Sequence, residues 1–72
     1  MQLNPEYGRA LNNLGAIRRE FGDYTSAIEL FERAVRTEPR SAESRNNLGL
    51  SYADAGRLSE AIAAYDQALQ VD

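Results

Sequence analysis

The 72-residue sequence predicts an all-α fold, an α-solenoid of two helix-turn-helix hairpins whose four antiparallel helices stack with a superhelical twist. Three observations lead there. Asn12-Asn13-Leu14-Gly15 returns as Asn46-Asn47-Leu48-Gly49, 34 residues later. At the same shift Gly22 meets Gly56, Ala27 meets Ala61, Ile28 meets Ile62 and Ala34 meets Ala68, while Tyr24, Phe31 and Val35 meet Leu58, Tyr65 and Leu69. Within each copy the apolar residues recur at the i, i+3, i+4, i+7 spacing of amphipathic helices, broken by a glycine that divides the unit in two.

The first helix is expected over residues 5–21. Asn4 before Pro5 is an N-cap followed by proline in the first turn. At about 100° per residue, Tyr7, Ala10, Leu11, Leu14, Ile17 and Phe21 lie within about 60° of Leu14, a stripe that reads as core. Gly22 supplies the left-handed residue that ends the helix, and Asp23 begins a short turn. The second helix, 24–37, carries Tyr24, Ala27, Ile28, Phe31, Ala34 and Val35 on one face. Ser41, after Pro39, starts a third over 41–55. The fourth, 58–71, repeats the apolar rhythm with Leu58, Ala61, Ile62, Tyr65, Ala68 and Leu69. Residues 1–72 therefore read as one domain. Residues 1–7 are the tail of a preceding unit or the start of the first helix, 8–41 one unit, and 42–72 a second that stops before the position held by Pro39 in the first.

Composition narrows the chemistry. A chain this short buries only about 60% of its unfolded surface, so its core is marginal. The sequence has neither cysteine nor histidine, and all 8 of its basic residues are arginines, against 11 acidic ones, for a net charge of -3. Thiol and imidazole chemistry and the usual zinc ligands are excluded, and neither a phosphate-cradling glycine loop nor calcium-loop spacing occurs. No catalytic residue, cofactor or metal site is expected, and the chain reads as a non-enzyme. The interspersed charges give no nucleic-acid footprint, and no apolar run has the length of a membrane span. The N-terminus lacks the basic-then-apolar pattern of a secretory leader, so a cytoplasmic setting is expected. Glu29 and Glu32 read as a solvated helix face.

The 34-residue period, Leu14-Gly15 with Ala27 to Phe31 and Pro39, and Leu48-Gly49 with Ala61 to Tyr65 resemble the tetratricopeptide repeat over the whole chain. Gly15 and Ala27 are then the small residues that let the helices of one hairpin approach, and Ala34 admits the next hairpin. Two positions depart from the family pattern. Its large aromatic three residues before the Leu-Gly leucine is Leu11 in one copy and Arg45 in the other, and its tyrosine, Tyr52 in the second copy, is Arg18 in the first. Arg18 falls on the expected core stripe, its stem covering apolar surface while its head reaches water. Arg45 suggests loose packing or an acidic partner between the units.

The resemblance implies a protein-interaction module that takes a protein or extended peptide in a concave groove lined by the first helix of each unit. Opposite the apolar stripe stand Arg9, Asn12, Asn13, Ala16, Arg19 and Glu20, and in the second unit Glu43, Asn46, Asn47, Leu50, Ala53 and Asp54. An amide side chain both donates and accepts, so it can pair with a peptide backbone irrespective of sequence. The family carries that role onto Asn13 and Asn47. The carboxylate-clamp subgroup needs a lysine near Asn12 and an asparagine one turn later, where this chain has Ala16 and Leu50 and no lysine at all. The alternative is a self-associating scaffold, stacking end to end or in two-fold pairs through Ile62, Tyr65, Ala68 and Leu69 of an uncapped last helix.

Overall fold

A computed structural model describes residues 5–71, with side chains from residue 7 onward. The expected N-cap Asn4, the rest of the 1–4 segment and Asp72 lie outside the described residues. Four helices follow in order: α1 (Pro5–Glu20), α2 (Tyr24–Thr37), α3 (Ala42–Asp54) and α4 (Leu58–Val71). These bounds match the expected spans to within a residue, and no strand occurs among the described residues.

Local chemistry explains each boundary. Gly22 and Gly56 sit at φ of 81° and 79°, where a β-carbon would be strained, and each lets its helix close in the same way. The Asp23 N–H reaches back to the Arg18 carbonyl at 2.9 Å and the Gly22 N–H to that of Arg19 at 3.0 Å. In the second copy Arg57 N–H meets the Tyr52 carbonyl at 2.8 Å and Gly56 N–H that of Ala53 at 3.0 Å. Carbonyls that α1 and α3 would otherwise leave open are thereby satisfied. At the opposite ends, Asp23 accepts the Ser26 N–H at 3.3 Å and Ser41 accepts that of Ser44 at 3.1 Å, N-capping α2 and α3.

Within each hairpin the helices meet at a glycine. A β-carbon on Gly15 would stand 2.7 Å from the Phe31 ring, and one on Gly49 would stand 2.8 Å from Tyr65. Both distances lie inside van der Waals contact, so the aromatic ring occupies the space the glycine leaves. The core then runs through both hairpins: Ala27, Ile28, Phe31, Leu48, Tyr52, Ala61 and Ala64 are buried, with Val35, Ala53 and Tyr65 against them. The Tyr52 hydroxyl, on α3, donates to Glu32 Oε2 of α2 at 2.7 Å, and Arg57 stacks its guanidinium 4.9 Å from the Tyr52 ring. Burial first, and the Glu32 carboxylate second, push the Tyr52 phenol up to about 12.

Three expectations require correction. Of the α1 stripe only Leu11 is buried; Tyr7, Ala10, Leu14, Ile17 and Phe21 are exposed. The buried side of α1 is instead Gly8, Leu11, Asn12 and Gly15, which meet α2 and α3. A first helix has two packing directions, and the apolar stripe marks the one that no described element covers. Arg45 meets no acidic partner among the described residues: its guanidinium donates to the Pro39 carbonyl at 3.1 Å and to Gln67 Oε1 of α4 at 2.6 Å. Ala68, expected on an open face, is buried inside its own hairpin.

Candidate functional site

The first helices α1 and α3 touch, and two side-chain links hold them together. Near their N-terminal halves Asn12 Nδ2 donates to Ser44 Oγ at 2.9 Å, and Ser44 Oγ in turn bonds Ser41 Oγ at 3.1 Å. Near their C-terminal ends Arg19 Nε donates to Asp54 Oδ2, an ion pair with both side chains about one-third exposed. The links fix how far apart the two helices stand along the wall they form.

Asn12 was expected on that wall. Only 8% of it is exposed, and it acts as a clip between α1 and α3, its Oδ1 without a partner among the described residues. The reason is the second packing direction of α1: the turn of helix that faces α3 is occupied by Asn12, and Ser44 is small enough to admit it. Arg9, Asn13, Ala16 and Glu20 are exposed on α1, and Glu43, Asn46 and Asp54 on α3. Asn47, Leu50 and Ala53 are half-buried. The side chains of Asn13, Asn46 and Asn47 make no hydrogen bond among the described residues.

A notch of about 180 Å³ gathers four of the expected wall residues, Arg9, Asn12, Asn13 and Glu43, together with Glu38 and Ser41 from the connection into α3. Glu38 and Ser41 lie outside the wall expected from the sequence. Their only signal was position, on either side of Pro39, where the chain turns toward the start of α3 beside α1. The rest of the expected wall lies outside the notch. With Arg19 and Asp54 paired, the charges left on the wall are Arg9 against Glu20 and Glu43, a mixed surface rather than a basic one.

At the far end, Ile62 and Leu69 of α4 are 62% and 75% exposed, and Leu58 is also open. Tyr65 is half-buried over Gly49. Among the described residues no cluster of acidic side chains could hold a metal ion, and no helix is long and apolar enough to cross a membrane.

The family model described as "Tetratricopeptide repeat" matches residues 2–36 and, in a second register, 12–71. The chain belongs to the tetratricopeptide repeat family. That fold is an interaction module and supplies no catalytic groups of its own. The chain is 40% identical over 58 residues to the "Peroxisomal targeting signal receptor" of Saccharomyces cerevisiae, a match spanning 81% of this chain and 10% of that protein. It is 29% identical along its full 72 residues to the "Small glutamine-rich tetratricopeptide repeat-containing protein 2" of Mycosarcoma maydis, covering 20% of the latter. With "Photosystem I assembly protein Ycf3" of Rippkaea orientalis it shares 33% identity over 67 residues, 83% of this chain and 39% of that protein. The tetratricopeptide chain thus spans well under half the length of these relatives.

Proposed function

We propose that this tetratricopeptide module binds an extended segment of a partner protein along the wall formed by α1 and α3. The observation that carries the reading is the pair Asn13 and Asn47. They hold the same position in successive first helices, are exposed and half-buried respectively, and have no internal hydrogen-bond partner among the described residues. Each can donate to a peptide carbonyl and accept from a peptide N–H, so the contact is with backbone rather than with a particular side chain. The mixed charge of Arg9, Glu20 and Glu43 supports a ligand chosen by shape and backbone rather than by high negative charge.

The test is Asn13→Ala combined with Asn47→Ala, titrated with a segment of whichever partner the full-length protein retains. Losing two hydrogen bonds at about 1 kcal/mol each lowers affinity by more than tenfold, while the melting temperature stays that of the parent. Unchanged affinity with a lowered melting temperature would make both amides structural and overturn the reading.

A second reading is self-association. The apolar stripe of Leu58, Ile62 and Leu69 on α4 favours it, because covering such a face removes several hundred Å² of apolar surface from water, at about 25 cal/mol per Å².

A further inference from the structure

The residues buried at the junction of the two hairpins have counterparts, 34 positions away, that no described element covers. Ile28 of α2 is 4% exposed and its counterpart Ile62 of α4 is 62%; Leu48 of α3 is 8% exposed and its counterpart Leu14 of α1 is 43%. The outer face of α4 therefore repeats the surface that α2 offers to α3, and the outer face of α1 repeats the surface with which α3 meets it. The same molecule carries both halves of one junction, on opposite ends.

The polar contact at that junction has changed on both sides at once. Inside the chain the Tyr52 hydroxyl donates to Glu32. The counterpart of Glu32 is Asp66, and that of Tyr52 is Arg18, both exposed. Carrying the internal geometry to the two ends sets a guanidinium opposite a carboxylate. Ile62, Asp66 and Leu69 share one stripe of α4, at i, i+4 and i+7, and Leu14, Ile17, Arg18 and Phe21 share one stripe of α1. Of the other transposed contacts, Asn12 with Ser44 becomes Asn46 with Ala10 and Arg19 with Asp54 becomes Ala53 with Glu20, neither like-charged, whereas Arg57, within electrostatic range of Glu32, becomes Asp23, so Arg18 stands between the carboxylates of Asp66 and Asp23.

We propose that α1 of one copy docks on α4 of a second copy in the register in which α3 docks on α2, with Arg18 paired to the partner's Asp66. This rests on the self-association reading and gives it a face, a direction and an ion pair. The contact is heterologous, so each added copy leaves a fresh α4 face and a fresh α1 face, and the assembly lengthens with concentration instead of closing as a two-fold dimer. A charge at Arg18, unexpected on an apolar stripe, then has a partner at the interface rather than only solvent.

Molar mass against concentration, by sedimentation or light scattering, tests this with the parent chain, Arg18→Asp, Asp66→Arg and an equimolar mixture of the two variants. Both positions are exposed, so circular dichroism should match the parent. The parent should grow in mass with concentration, and each variant, with like charges facing across the junction, should need at least about tenfold more protein to do so. The mixture should regain the parent's association, because the reversed head of one variant meets the reversed tail of the other. Single variants that associate like the parent, or a mixture no better than either alone, would overturn the ion-paired register while leaving self-association standing. A parent that stays monomeric throughout would reject self-association as well and assign both faces to another occupant, such as neighbouring repeats.

Discussion

Asn12 and Asn46 occupy the same position of the repeat but different surroundings. Asn12 is clasped between α1 and α3 by Ser44, whereas Asn46 is exposed. A buried amide with one bond made and one oxygen unpartnered contributes modestly, since the lost hydration of the oxygen offsets part of the bond. Asn12→Ala should therefore lower stability by about 1 kcal/mol, and Asn46→Ala by less than about 0.5 kcal/mol, in urea unfolding. Equal losses would show that Asn12 does not act through Ser44. The exposed ion pair between Arg57 and Glu60, three residues apart, belongs to the same scale. The guanidinium holds the Glu60 carboxyl below the usual carboxylate range, but a solvated pair of this kind adds little to the fold.

At the scale of the element, each hairpin is set by two glycines with different tasks. Gly15 and Gly49 make room for an aromatic ring, while Gly22 and Gly56 supply a left-handed turn with nothing within 4 Å of the missing β-carbon. Gly22→Ala should thus cost about 1 kcal/mol through backbone strain alone, and Gly22→Asn less, because asparagine enters the left-handed region more readily. Thermal unfolding of the two variants checks this; an alanine variant as stable as the parent would mean the turn adjusts without strain. Ser44 and Ser51 are both fully buried on α3, and Ser44, which receives Asn12, does for the α1·α3 contact what the glycines do inside the hairpins. Neither was part of the expected core, because a serine in a helix ordinarily marks the wet face.

For the molecule as a whole, the junction between hairpins decides whether two marginal units act as one. Its central polar contact is the Tyr52 phenol against Glu32, and its acidity is linked to folding. The phenol titrates near 10 when free and at about 12 in the fold, so the folded state holds this proton more tightly. The stability it provides is complete below pH 10 and is lost as pH rises toward 12, where a phenolate would face the Glu32 carboxylate. The melting temperature should fall across that window, and the fall should be shallower in Tyr52→Phe. Identical pH profiles for the two chains would remove Tyr52 from the linkage. The same junction surfaces recur at the outer faces of α1 and α4, which is the basis of the proposed docking of a second copy.

The period, the four helices, their turns and the family were legible in the residues themselves, because the 34-residue repeat, the glycine stops and the i, i+3, i+4, i+7 rhythm are properties of the local chain. Of the wall expected from sequence, the fold leaves Asn13 and Asn46 exposed, half-buries Asn47, Leu50 and Ala53, and buries Asn12. Tertiary structure alone decided which apolar stripe is covered. Tyr7, Ala10, Leu14, Ile17 and Phe21 have the pattern of a core and are exposed, whereas Asn12, Ser44 and Ser51 have the pattern of a surface and are buried. Periodicity shows that a helix has a face suited to packing. Whether that face meets a neighbour depends on where the neighbouring helices lie, which a one-dimensional pattern does not contain.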